Sequence, residues 1–171
     1  LKGREEEIKA IIHLGACSST LETDVNYLME NNYRYTVKLA ECALENDIRF
    51  IYASSAATYG AGENGFSDDH ELLPSLKPLN AYGFSKQMVD LWALSQGVLD
   101  QVVGLKYFNV FGPNEYHKGR MASVVCNMVP KILKDGKFSL FKSTQPKLFG
   151  DGDQVRDFIY VKDAVRMTCN F

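Results

Sequence analysis

The run Arg49-Phe50-Ile51-Tyr52-Ala53-Ser54-Ser55 constrains the fold more than any other stretch of the 171 residues. It is apolar and β-type until it ends in two hydroxyls, and a proline-free helical segment, Ala81 to Gly97, follows it. Asn80 supplies that helix with an N-cap. Lys9 to Leu14 before the run and Val102 to Tyr107 after the helix also have strand character. Strands that alternate with helices build a parallel sheet. The expected class is α/β, a doubly wound parallel sheet with part of a small second domain.

Within the helix, Tyr82 and Lys86 are four residues apart, so both side chains leave from one face. A free tyrosine titrates near ~10 and is a poor base at neutrality. A fixed ammonium beside it favours the phenolate. In an open α/β sheet, ligands sit outside the carboxyl ends of the strands. Ser55 stands at such an end, where the returning helix can bring Tyr82 beside it. A hydroxyl donor, a phenol and an ammonium at one point suit the interconversion of a carbinol and a carbonyl. Each feature alone has a plainer reading, since serines often end strands and Tyr-x-x-x-Lys is often a surface pair. With Tyr82 and Lys86 at 27 and 31 residues after Ser55, the combination favours catalysis.

A chain that is 46% hydrophobic and 23% charged can bury a core. Its net charge of −2 argues against nucleic-acid or membrane-surface binding by bulk electrostatics. No apolar run approaches the ~18 residues of a membrane span. Cys17, Cys42, Cys126 and Cys169 are widely spaced, which fits reduced thiols in a cytosolic protein better than disulfides or zinc. His70 lies among Asp68, Asp69 and Glu71, a solvated charge run, and no metal site is expected.

Small residues, Gly15 to Ser19, follow the first strand; they allow close approach of a ligand or make a tight connection. A helix is expected from about Asp24 or Tyr33 to Asn46, and His13 reads as a core histidine. On the Tyr82 helix, Phe84, Met88, Leu91, Trp92 and Ser95 form one stripe, with Val89 and Leu94 off it. That width suggests burial on two sides, against the sheet and another subunit, with core packing alone as the plainer explanation. Ala61 to Leu79 is a long polar loop, and Met121 to Leu133 is a helix interrupted by Pro130. The turn Phe149 to Asp153 followed by Arg156 suits a diphosphate, which a guanidinium can grip by two oxygens, and is equally a plain β-turn.

Ser55, Tyr82 and Lys86 match the triad of the extended short-chain dehydrogenase/reductases, the nucleotide-sugar epimerases and dehydratases, and the sequence resembles that family over nearly its whole length. His13 to Thr20, Tyr52 to Gly60, Tyr107 to Glu115 and His117 to Val124 carry the resemblance. It implies a Rossmann-type domain, with Tyr82 as main acid/base, Lys86 as its electrostatic tuner and ribose anchor, and Ser55 as donor to the reacting oxygen. It implies cofactor contacts at Leu14, Gly15, Ala16, Cys17, Ser18, Asn31, Lys86, Val110 and Lys118. Substrate contacts are implied at Asn109, Asn127, Phe149, Gly150, Asp151, Gly152 and Arg156. Lys118 matches a second acid/base, which suits an inversion that returns hydrogen to the opposite face of a ketone.

The implied cofactor is NADP, with NAD as the alternative, and the implied partner is a nucleotide-sugar substrate, with no nucleic acid and no membrane. The reaction expected is inversion at C6 of an ADP-linked heptose, in a bacterial, cytoplasmic homo-oligomer. A UDP-hexose 4-epimerase and a non-catalytic dinucleotide-binding regulator are the alternatives. A 4,6-dehydratase is disfavoured, because Ala56, Ala57 and Thr58 stand where such proteins carry an Asp-Glu pair. The chain opens in a polar helical tail, Leu1 to Glu7, with no glycine-rich turn, and closes partway through a helix. Against the family it reads as an internal fragment, inactive by itself. Residues 1–112 are expected to be a partial dinucleotide-binding domain, 113–154 part of a substrate domain and 155–171 a return segment.

Overall fold

The computed structural model describes residues 3–144 and 146–171. Leu1 and Lys2, the start of the expected tail, lie outside the described residues, as does Gln145; Glu5–Glu7 form a 3-10 turn. The chain divides into two compact units. One runs up to Tyr107 and includes Asn170–Phe171; the other is Phe108–Cys169.

In the first unit β1 (Ala10–His13), β2 (Arg49–Ser55) and β3 (Val102–Tyr107) form a parallel sheet in that order. Ile12 pairs with Ile51, and Ile51 with Val103. β1 and β2 are joined through one helical run: α1 (Val25–Leu28), a π-helical turn (Met29–Arg34) and α2 (Tyr35–Glu45). Its start is the earlier of the two expected, because Asp24 Oδ1 accepts the Tyr27 N–H at 3.0 Å. β2 returns to β3 through α3 (Ala81–Gln96), capped by Asn80 Oδ1 on the Gly83 N–H at 2.8 Å. Gly97 ends it in the left-handed conformation that a side chain resists. The core joins Ala40 and Ala43 of α2, Phe50 and Tyr52 of β2, and Val89 and Ala93 of α3. Parallel crossovers are right-handed, so the order β1-β2-β3 puts α2 and α3 on one face, one helical layer of the expected arrangement.

The apolar stripe of α3 is only partly covered: Met88, Leu91 and Trp92 are half-buried, with Trp92 packed against the core. Phe84 is 47% exposed, while Gly83, Ser85, Lys86, Gln87, Val89, Asp90 and Ala93 are buried. The polar members are buried because each has a partner. Gln87 Nε2, for example, donates to the Leu73 and Leu76 carbonyls at 3.1 and 2.8 Å. That contact anchors a 3-10 turn, His70–Ser75, inside the expected loop.

The second unit pairs β4 (Asn109–Phe111) with β5 (Phe158–Tyr160) in parallel. It also holds α4 (Val124–Asp135) and α5 (Val161–Thr168). The expected helix from Met121 is a 3-10 turn, Tyr116–Met121, followed by α4 from Val124, and Pro130 lies inside α4 without ending it. No described helix is long and apolar enough to cross a membrane.

Candidate active site

Ser55 is the last residue of β2, and its Oγ accepts the Ala57 N–H at 3.1 Å, capping a 3-10 turn over Ala56–Tyr59. Gly83 lets the first turn of α3 lie directly on that cap. A Cβ there would stand 2.8 Å from the Ala57 carbonyl oxygen and 3.0 Å from Pro78 Cβ. The close approach brings the Tyr82 phenol beside Ser55, near enough for Ser55 to influence its titration. Since Ser55 already accepts from Ala57, its O–H is available to donate to the phenolic oxygen.

Burial pushes the Tyr82 phenol above its ordinary pKa, Ser55 pulls it back, and Cys17 adds an upward push. The net direction is opposite to the one a neighbouring ammonium alone would give. Lys86 Nζ donates to the Ala53 carbonyl at 2.8 Å. Its own pKa falls to about 8 through burial, against the pull of Asp90 and Cys17.

Behind this pair lies a buried polar network. Asp90, one turn beyond Lys86, accepts from the Tyr52 hydroxyl and Ser54 Oγ, each at 2.8 Å, and pairs with the Lys106 ammonium. Lys106 Nζ also donates to Thr58 Oγ1, and Thr58 Oγ1 to the Ser55 carbonyl, each at 2.8 Å. The backbone that carries Ser55 is thereby tied to α3 and β3.

The turn after β1 is held by Asn32, fully buried in the π-helical turn. Asn32 Oδ1 accepts the Cys17 N–H at 2.8 Å, and its Nδ2 donates to the Cys17 carbonyl and to Ser85 Oγ, each at 3.0 Å. Ser85 Oγ donates in turn to the Tyr82 carbonyl at 2.7 Å. His13 is a core histidine as expected, 3.1 Å from Thr36 Oγ1, with its pKa lowered by burial and by Lys86. Leu14, Gly15 and Ser18 are exposed, and Ala16 and Cys17 half-buried, at the carboxyl end of β1. An exposed leucine, a position without a Cβ and the remaining N–H donors of Lys86 fit a flat ring and a ribose of a dinucleotide. Asn31 Nδ2 donates to the Tyr27 carbonyl at 2.8 Å.

In the second unit a cleft of about 560 Å³ gathers Asn109, Val110, Lys118, Gly152 and Arg156 among its lining residues. Apolar walls come from Met128, Phe138, Phe141 and Phe158. Phe149, Gly150 and Asp151 are exposed in the adjoining turn and do not line it. Asn127 lines a neighbouring cleft, and its Nδ2 donates to the Ala122 and Ser123 carbonyls at 3.1 and 3.2 Å.

A profile of the NAD dependent epimerase/dehydratase family matches residues 3–170. The chain belongs to this family. A curated relative from Nitratidesulfovibrio vulgaris (strain DP4), an ADP-L-glycero-D-manno-heptose-6-epimerase, is 55% identical over 161 residues, 94% of this chain and 50% of the relative. The crystal structure of the Helicobacter pylori ADP-L-glycero-D-manno-heptose-6-epimerase superposes with a TM-score of 0.80 at 32% identity, covering 97% of this chain and 50% of that one. A UDP-N-acetylglucosamine 4-epimerase from Methanobrevibacter ruminantium M1, in complex with UDP-N-acetylmuramic acid, has a TM-score of 0.73 at 27% identity, covering 98% and 53%. The chain spans about half the length of the curated relatives it matches.

In this member of the epimerase/dehydratase family, no motif in the sequence marks Asn32, Asp90, Lys106 or Glu115 as part of the site. Asn32 has only the neighbouring Asn31 as a hint. Asp90 continues the four-residue spacing of Tyr82 and Lys86, a pattern that could have marked it.

Proposed function

We propose that the protein carrying this chain epimerises C6 of the heptose in ADP-D-glycero-β-D-manno-heptose, giving the L-glycero epimer, by oxidation and re-reduction. The observation that carries this reading is the placing of Tyr82 beside Ser55 at the carboxyl end of β2, with Lys86 fixed on the Ala53 carbonyl. The 55% identity to a heptose epimerase supports the choice of sugar. A bound nicotinamide dinucleotide supplies the hydride acceptor and donor; we assign NADP, with NAD as the alternative, on the resemblance alone.

In the oxidative half, Ser55 donates to the reacting oxygen and Tyr82 takes the C6 hydroxyl proton as hydride leaves C6. Lys86 holds positive charge beside the phenol. In the reductive half the ketone accepts hydride on its other face, and its oxygen is protonated. Lys118 is assigned that second proton transfer on the resemblance, because two carbinol epimers present opposite faces to one hydride carrier. Leu14 to Ser18, Asn31 and Val110 are assigned to the dinucleotide. Asn109, Asn127, Phe149 to Gly152 and Arg156 are assigned to the nucleotide sugar. The same reading makes the full-length protein a cytoplasmic homo-oligomer in the synthesis of the lipopolysaccharide core.

Incubating the full-length protein with ADP-D-glycero-β-D-manno-heptose and, separately, with UDP-glucose, and following products by NMR, tests the proposal. The expected result is inversion of the heptose only. Comparable conversion of UDP-glucose would move the assignment to a 4-epimerase. Dinucleotide binding without turnover of either sugar would leave the regulator.

A further inference from the structure

The loop between β4 and α4 contains a buried acid. Glu115 is 4% exposed. Its Oε1 accepts the Gly112 N–H at 2.8 Å and the Ser123 hydroxyl at 3.0 Å, and its Oε2 accepts the Ser123 N–H at 2.8 Å. One side chain therefore ties the start of the loop to its end, where Ser123 caps α4. Lys118 stands between the two. Its backbone N–H donates to the Glu115 carbonyl at 2.9 Å, and its Nζ lies 3.9 Å from Oε2. Both residues line the cleft of the second unit.

The pair is lopsided. The carboxylate is enclosed and hydrogen-bonded at both oxygens, whereas the Lys118 side chain is 43% exposed. An ion pair with so open a partner contributes little stability. A fixed buried charge nevertheless decides where a long, rotatable amine rests. Burial alone would push the Glu115 carboxyl upward, but hydrogen bonds from Ser123 and Gly112, with the charge of Lys118, bring its pKa below the usual value. The charge is thus present throughout the neutral range.

We propose that Glu115 is a positioning residue that closes the Gly112–Ser123 loop and holds the Lys118 amine at the cleft wall. This rests on the assignment of Lys118 to proton transfer. Glu115→Gln keeps the shape, removes the charge and sets an amide against the Ser123 N–H.

Two measurements on the full-length protein keep the proposal and its premise apart. In the first, kcat of Glu115→Gln is expected to fall roughly 10–100-fold with little change in KM, as a misplaced proton-transfer group would. On a Lys118→Met background the same change is expected to cost nothing more; an equal loss in both backgrounds overturns the proposal. The second is the rate at which an amine-acylating reagent modifies Lys118 relative to the other lysines, read by peptide mass spectrometry. It is expected to rise severalfold in Glu115→Gln, and an unchanged rate also overturns the proposal. Labelling that responds, together with full turnover by Lys118→Met, refutes the proton-transfer role and leaves the positioning intact. Should Glu115→Gln fail to fold, Ser123→Ala removes the hydroxyl contact to Oε1 and serves both measurements.

Discussion

Replacing Asn32 by alanine removes three hydrogen bonds from a fully buried site, two of them to Cys17 and one to Ser85. Each such bond contributes about 0.5–1.5 kcal/mol, and a polar group left stranded costs about 1–3 kcal/mol. Together they put the loss at about 2–4 kcal/mol, since the partly exposed Cys17 backbone can recover some hydration. With two compact units, a single unfolding curve would average over regions. Hydrogen exchange at the Cys17 amide reads the site itself. Its protection is expected to fall roughly 30- to 1000-fold, as 2–4 kcal/mol of local opening implies. Asn32→Asp is worse near neutrality, because it keeps the acceptor for the Cys17 N–H but sets a carboxylate against the Cys17 carbonyl. Burial raises the folded pKa of such an acid above its unfolded value. The defect is therefore full above the folded pKa and relieved as pH falls through it. Unchanged exchange at Cys17 in Asn32→Ala would refute the clamp.

Lys106→Met leaves the Asp90 charge buried without its cation, and is expected to cost about 3–5 kcal/mol. Adding Asp90→Asn should return most of that; thermal melts in which the single variant matches the parent would remove the ion pair from the stability account. Lys86 titrates at about 8 in the fold against an ordinary 10.5, so between these values the unfolded chain holds the extra proton. Its contribution to stability therefore rises with pH across that window. The denaturation midpoint of Lys86→Met relative to the parent should lose ground there, and a constant difference would contradict the shift. In the full-length protein, Tyr82→Phe is expected to lower single-turnover epimerisation roughly 10²–10⁴-fold. Lys118→Met should stall it to a similar degree; an unchanged rate would return the proton chemistry to Tyr82 alone.

The parts of the fold that sequence made legible are those written in local chemistry. β2 spans Arg49–Ser55 as its apolar run predicts, and α3 lies between the cap Asn80 and the left-handed Gly97. The π-helical turn Met29–Arg34 has no such signature, because its extra residue is set by what Asn32 binds across the unit. The polar part of the buried face of α3 is illegible for a related reason. Periodicity counts apolar side chains, whereas the buried face is lined by Ser85, Lys86, Gln87 and Asp90, whose partners come from elsewhere in the chain. β4 has only three residues, too few for alternation to register, and its partner β5 lies far along the chain. In the candidate site, residue types that do chemistry were readable as a triad. The residues that hold them in place were not, because a hydrogen bond between Asn32 and Cys17 or between Glu115 and Ser123 leaves no periodic trace.

The regular spacing along α3 also limits how the chain can change in length. Tyr82, Lys86 and Asp90 are spaced by helical turns, and α-helical geometry sets ~1.5 Å and ~100° between neighbours. One residue inserted between Tyr82 and Asp90 would swing the acid about a quarter turn off Tyr52, Ser54 and Lys106. The length of this segment is therefore fixed. The exposed stretch from Glu63 to His70 is held by separate contacts, such as the Tyr59 hydroxyl on the Ser67 carbonyl at 3.0 Å, and not by a helical repeat. Insertions and deletions should therefore collect there and stop short of Leu73 and Leu76, whose carbonyls are held by Gln87.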